Sequence, residues 1–420
     1  MKVLVIGYVW PEAVSSAAGS RMVQLLEFFI STGANVTFAT TATPTPWRCD
    51  IEAMGISTTQ IELNNPSFDV FLEELNPGLV VFDRFMMEEQ FGWRVSKTCP
   101  DALKVLDTED LHFLRNFREL EFKGKAAKGD LKTSDLAKRE IASIYRCDLS
   151  LIISEAEMEL LTSEFKIPSA LIFYLPFLFQ KITEEDIAGI PGYEDRTNFI
   201  SIGNFRHAPN VDAVIYLREE IWPLIHKELP EAKMEIYGAY PSARIEQLND
   251  PRNNFLVKGR AKDAMEVVRN ARVSLAPIRF GAGLKGKLTE AMICGTPNVT
   301  TTTGAEGMNG EMDWNGFIAD EAAGFAKAAV ELYNNEDMWY KAREKGFKII
   351  NARFVMDLFY DKFRTRIAQL KKDLPAHRNS NFIGAMLMHH SMKSTYFLSR
   401  YIEVKNAFEE SKKPKKTDHL

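Results

Sequence analysis

The sequence predicts two doubly wound α/β domains, each a parallel sheet covered by helices on both faces, with a helical segment after them. Three observations carry this. Short β-rich runs alternate with longer helical runs over residues 1–185, and the alternation restarts after residue 198. The intervening stretch "DIAGIPGYEDRTN" (186–198) is rich in Gly, Pro and acidic residues, as a linker is. A chain of 420 residues is also too long for one ordinary core.

The first domain (1–185) opens on "KVLVIG", a strand. Residues 20–32 read as a helix: Met22, Leu25, Leu26, Phe29 and Ile30 share one face, and Gly33 stands where a C-cap belongs. "NVTFAT", "TTQIEL", "LVVFD", "LKVLD" and "LSLIIS" continue the strands, with helical segments between most of them. In the second domain (199–350) the strands are "FISIG", "KMEIYG", "NFLVKG", "VSLAPI" and "NVTTT". From about residue 337 the chain turns helical. In 353–372 an apolar stripe of Phe354, Leu358, Phe359, Phe363, Ile367 and Leu370 predicts a helix that packs against another element. The segment 351–420 is therefore a helix with a helical tail, ending in "KKPKK", a solvated terminus.

Composition narrows the class. No apolar run approaches the ~18 residues that suggest a membrane span. The start has too short an apolar stretch for a signal peptide. Cys49, Cys99, Cys147 and Cys294 are widely spaced and form no C-x-x-C pair, so they read as reduced thiols of a cytoplasmic protein. A net charge of −5 argues against a dedicated nucleic-acid binder. His389 and His390 are adjacent on a helix and point apart, so no metal site is expected there.

One stretch carries chemistry: "GAGLKGKLTE" (281–290). It spells both G-x-G-x-x-G and G-x-x-x-x-G-K. A P-loop needs a Ser or Thr hydroxyl after the lysine for Mg²⁺, and Leu288 stands there. A dinucleotide fingerprint belongs in the first βα turn of its domain, with an acid about 20 residues on. Glu306 has that spacing, but several strands precede the motif, and the first turns "GYVWPEAVSSAAG" and "GNFRHAPN" lack it. What survives is an anion-holding turn at a helix start.

The wider window "VSLAPIRFGAGLKGKLTEAMICGTPNVTTTTGAEGM" resembles the donor-binding region of group 1 (family four) glycosyltransferases of the GT-B fold. The likeness extends upstream through "FISIGNFRHAPN" and "MEIYGAYPSARIEQL" and covers about residues 197–345. It implies two Rossmann-like domains facing a cleft, with a C-terminal helix returning to the first domain. It also implies a nucleotide-diphosphate sugar as donor, with the diphosphate on Gly281, Gly283, Lys285 and Lys287 and the ribose on Glu290. Gly203, Arg206, His207 and Lys258 complete the donor side. The sequence departs from the family at two places. Many members carry Glu-x7-Glu, and Ala282 stands at the first Glu. The usual Arg and Lys after the domain's first strand are also out of register, with Asn204 and Pro209 near those places.

In such folds the first domain takes the acceptor, so its strand ends should be polar. "SSAAGSR" brings Gly19, Ser20 and Arg21, and "VVFDRF" brings Asp83 and Arg84. "KVLDTEDLHFLR" brings Asp107, Glu109, Asp110, His112 and Arg115. The resemblance makes Asp110 and His112 the catalytic candidates, since a histidine suits proton transfer near neutral pH. It implies retention of anomeric configuration and no metal or other cofactor. It implies a glycan, lipid-linked or small-molecule acceptor. Segment 112–140 mixes basic residues with Phe and Leu and allows peripheral membrane contact, although Glu119, Glu121 and Asp130 dilute its charge. Other readings stay open: a nucleotide-sugar epimerase, a phosphorylase, or a non-catalytic nucleotide-sugar-binding partner.

Overall fold

The computed structural model describes residues 1–126 and 130–412. The first sheet is built from β1 (Lys2–Gly7), β2 (Asn35–Thr40), β3 (Ser57–Gln60), β4 (Leu79–Asp83), β5 (Leu103–Asp107), β6 (Leu149–Ile152) and β7 (Ile172–Tyr174). The second contains β8 (Thr197–Ile202), β9 (Met234–Tyr237), β10 (Phe255–Gly259), β11 (Ala271–Ala276), β12 (Asn298–Thr300) and β13 (Gly316–Ile318). The spatial orders are β3-β2-β1-β4-β5-β6-β7 and β10-β9-β8-β11-β12-β13. Every strand pair is parallel. The strands are apolar because both faces are covered: Leu4 and Ile6 join one core, Val3 and Val5 the other.

Each sheet reverses its winding once, between β1 and β4 in the first and between β8 and β11 in the second. Chain leaving the carboxyl ends of those strands diverges to opposite faces, and the crevice it leaves is where such sheets hold ligands. The two crevices face each other. Beneath them Ile153 and Phe177 of the first unit share a core with Leu284, Met308, Phe347 and Phe354 of the second.

The linker region is more ordered than its composition suggests. Glu184–Ala188 is a short helix with a Thr183/Asp186 capping box, and Thr197 and Asn198 already belong to β8. The strands β7 and β13 were not expected; at three residues each, they carry too little pattern to be seen.

The C-terminal stripe divides. Phe354 caps the helix Glu336–Arg353 and packs in the interdomain core. Leu358 is exposed in a short 3₁₀ turn. From Phe359 the stripe returns to the first domain, where Phe363 lies 4.6 Å from the Phe28 ring and Ile367 and Leu370 complete the contact. Each such buried side chain contributes about 2 kcal/mol. The helix Phe382–Ser411 lies on the helices Phe85–Thr98 and Asp135–Arg146. Arg94 pins it: the guanidinium bonds Asp69 at 2.7 Å, Ser399 at 3.1 Å, and Glu403. Its outer face leaves Phe397, Tyr401, Val404 and Phe408 exposed. Among the described residues, no helix is long and apolar enough to cross a membrane. Except for Lys412, the terminal "KKPKK" lies outside the described residues.

Candidate active site

The facing strand ends enclose a cleft of about 680 Å³. Its first-domain wall comes from the loop after β1 and from residues following β4 and β5. Its second-domain wall comes from residues after β8, β9 and β11. Of the predicted residues, the cleft gathers Gly19, Asp83, Asp110, His112, Gly203, Arg206, His207, Gly281, Lys285, Lys287 and Glu290. Ala282, at the place of the family's first acid, also lines it.

Four predicted residues lie elsewhere. Arg21 is fully buried, and its guanidinium is committed to Asp107 at 2.8 Å and the Leu175 carbonyl at 2.7 Å; it braces the first sheet. Ser20 bonds the Ala13 carbonyl at 3.0 Å. Lys258 is exposed near Glu235, 3.9 Å away. Gly283 gives its N–H to Glu157 at 2.9 Å, so that amide is not free for a ligand.

The glycine turn and the helix Gly286–Ile293 form the second-domain floor. Gly283 has φ +62°, and a Cβ there would stand 2.8 Å from Asp110 Cβ, so the turn presses against the opposite domain. Lys285 Nζ bonds the Gly283 carbonyl at 2.8 Å, and Lys287 Nζ bonds Asn210 Oδ1 at 2.8 Å. Among the described residues neither ammonium has a carboxylate at ion-pair distance. Burial lowers both lysines to about 8. Glu290 sits one turn on, its carboxyl pushed up by burial.

Across the cleft, Asp110, His112 and Arg115 cluster at the start of the helix His112–Phe122. His112 Nε2 stands 3.6 Å from Asp110 Oδ1, and its ring meets Phe85 edge-on. Burial opposes the charge on Asp110, but Arg115, His112 and His207 outweigh it, and its pKa falls to about 2. Burial lowers His112 to about 4, against the pull of Asp110, and lowers His207 to about 4. Both imidazoles are therefore neutral near pH 7.

Sequence reasoning missed the residues that join the walls. Glu157 Oε1 accepts N–H bonds from Leu111 of the first domain and Gly283 of the second, each at 2.9 Å. Tyr240 Oη reaches Glu12 at 2.8 Å, and Asn204 bonds the Ser15 carbonyl at 3.2 Å. Such partners are distant in sequence and follow no local pattern. Glu306, which has the spacing of a ribose-binding acid, is instead held by Arg118. Among the described residues, no group of three or more His, Cys, Asp or Glu is placed to hold a metal.

Residues 196–335 match the family model "Glycosyl transferases group 1". A 205-residue stretch is 23% identical to an uncharacterized 44.6 kDa protein in the cps region of Klebsiella pneumoniae, covering 47% of this chain; the match spans only half (50%) of that relative's length. Among solved structures, TarM of S. aureus, in complex with fondaparinux, α-GlcNAc-glycerol and UDP, superposes with TM-score 0.66 at 11% identity. The match covers 87% of this chain and 99% of TarM. HepE of Anabaena, in complex with UDP and glucose, gives 0.63 at 13%, covering 88% of this chain and 99% of HepE. These likenesses establish the fold.

Proposed function

Residues 196–335 form a group 1 glycosyltransferase domain in a chain of the GT-B fold, and from that premise we propose that the protein moves a hexosyl group from a nucleotide-diphosphate sugar to a glycan, lipid-linked or small-molecule acceptor, with retention of configuration. The observation that carries this is the pair Lys285 and Lys287: one buried and one half-buried ammonium group on the cleft floor, with no carboxylate at ion-pair distance of either among the described residues. Holding a cation in a low-dielectric site is costly unless an anion joins it. A diphosphate supplies that anion at a helix N-terminus, where the dipole adds to the attraction. The same two charges stabilise the leaving nucleoside diphosphate as the glycosidic bond breaks. Glu290 accepts the ribose hydroxyls, and Gly203 leaves room for Lys287: a Cβ there would lie 2.9 Å from Nζ.

His112 and Asp110 face this floor from the acceptor wall. A neutral imidazole can accept a hydrogen bond from a sugar or acceptor hydroxyl, and Asp110 with Arg115 fixes its orientation. TarM and HepE were each solved with UDP. This supports a uridine nucleotide in the donor here.

A thermal-shift screen with UDP, GDP, ADP and NAD tests the reading, followed by donor hydrolysis. One nucleoside diphosphate should stabilise the protein, and Glu290→Ala should weaken that binding. Stabilisation by NAD alone would overturn the proposal.

A further inference from the structure

The strands β4 and β5 end side by side, with Asp83 paired to Asp107 in register. Just beyond them two non-glycine residues hold the left-handed backbone: Arg84 at φ +71° and Glu109 at φ +62°. Each such residue costs on the order of a kcal/mol relative to glycine, and strain of this kind gathers at ligand sites. The turns place three charged side chains in the cleft: Asp83, Arg84 and Glu109.

Their hydrogen bonding is incomplete. Asp83 Oδ2 accepts the Tyr8 N–H at 2.9 Å, but Asp83 Oδ1 is buried without a hydrogen bond, 3.7 Å from Arg84 Nε. Glu109 Oε1 is also buried without a partner. The two residues are only 3% and 7% exposed. Buried carboxylate oxygens are normally satisfied, and two orphans in one corner of a substrate cleft are acceptors aimed at a donor. Above them lies the Tyr8 ring, 42% exposed and backed by the Arg84 guanidinium 5.1 Å away.

We propose that Asp83, Glu109 and the Tyr8 ring form an acceptor subsite for a neutral sugar ring, the carboxylates taking its hydroxyl hydrogens and the tyrosine stacking on its C–H face. The inference rests on the glycosyltransferase reading for the word acceptor and deepens it by naming the ligand class. Charge makes the choice. Burial pushes both carboxyls up, Glu109 well above its ordinary value, and a phosphate beside them would add further like-charge repulsion, whereas hydroxyl groups satisfy both open oxygens at no such cost. Glu109 and Asp83 thereby act as specificity-determining residues, separate from the donor floor around Lys287.

Saturation-transfer NMR with glucose, galactose, N-acetylglucosamine and a glucose phosphate monoester tests this, on protein with and without UDP. Neutral sugars should show transfer on the wild type. Glu109→Gln and Asp83→Asn should weaken them about tenfold or more, and the phosphate ester should bind far more weakly than glucose. Tyr8→Ala, which removes an exposed side chain and cannot hollow the core, should weaken the same sugars. The subsite is overturned if no neutral sugar shows transfer, if the phosphate ester binds as well as glucose, or if both carboxyl variants bind like the wild type. A nucleotide thermal shift kept by both variants verifies their fold. Sugar binding without any nucleotide shift on the wild type would instead overturn the transferase reading and leave the subsite standing.

Discussion

Arg118 of the first domain forks onto Glu306 of the second: Nη1 and Nη2 each lie 2.7 Å from a carboxylate oxygen, and Nη1 also donates to the Gly281 carbonyl at 2.9 Å. The pair thus ties the acceptor-side helix to the first residue of the glycine turn. Phe122 and Phe280 stack beside it with centroids 5.3 Å apart.

Breaking the fork should loosen closure of the cleft more than it destabilises either domain. Both side chains are about a quarter exposed, so the pair itself contributes only about 1 kcal/mol to stability. Arg118→Ala should lower kcat/KM about tenfold through misplacement of the turn, with melting temperature nearly unchanged. The reciprocal double variant, Arg118→Glu with Glu306→Arg, should recover part of the loss. Equal kinetics for wild type and Arg118→Ala would show that the fork does not position the site.

Lys287→Met should weaken binding of the stabilising nucleoside diphosphate about tenfold to a hundredfold, the effect of one lost charge-assisted contact. The pH dependence has a definite sign. Burial holds Lys287 at about 8, so raising pH through that value neutralises it and weakens the anion's attraction. Calorimetry should therefore show affinity falling above pH 8 in the wild type, with proton uptake on binding, and a shallower fall in Lys287→Met. Gly203→Ala should act in the same direction, because its Cβ would meet both Lys287 Nζ and the Asn210 amide. Affinity that stays level from pH 7 to about pH 9.5 would exclude the lysines as the anion's partners.

The sheet strands, the glycine turn and most cleft residues were legible because each rests on a local pattern. Apolar runs announce parallel strands, and polar residues just past them announce a ligand face. Arg21 misled because a charged residue beside a small-residue loop looks ligand-facing; only the fold brings Asp107 and Leu175 to its guanidinium. Gly283 misled in the same way, since Glu157 reaches its amide from 126 positions away in sequence. Lys258 lies within β10 itself, exposed beside Glu235 on the neighbouring strand, whereas the cleft takes Arg260 and Ala261 from just past the strand's end.

His112 should affect turnover rather than donor affinity. Burial holds it at about 4 despite Asp110, so it is neutral throughout the usual assay range. His112→Ala should lower kcat about a hundredfold, the scale of a positioned proton-transfer group, and leave the nucleotide thermal shift intact. The wild-type rate profile should lack an inflection near 6.5, the ordinary histidine value. A limb at that pH that disappears in His112→Ala would contradict the buried, neutral imidazole.

Glu157 makes the two domains' folding sensitive to pH. Burial, reinforced by Asp110, raises its carboxyl from 4.5 to about 8, even though the Leu111 and Gly283 amides and Lys285 pull the other way. Between those values the folded protein holds a proton that the unfolded chain releases. The stability tied to this group is therefore complete below about 4.5 and is lost as pH rises towards 8. Glu157→Gln removes the titration but keeps an oxygen able to accept both amide N–H bonds. The melting temperature of the variant minus that of the wild type should be near zero at pH 5, climb by a few degrees towards pH 8, and level off beyond it. Because every other titrating group is common to both proteins, the difference isolates this carboxyl. A difference that stayed flat, or fell with pH, would mean that Glu157 bridges Leu111 and Gly283 as an ordinary ionised carboxylate.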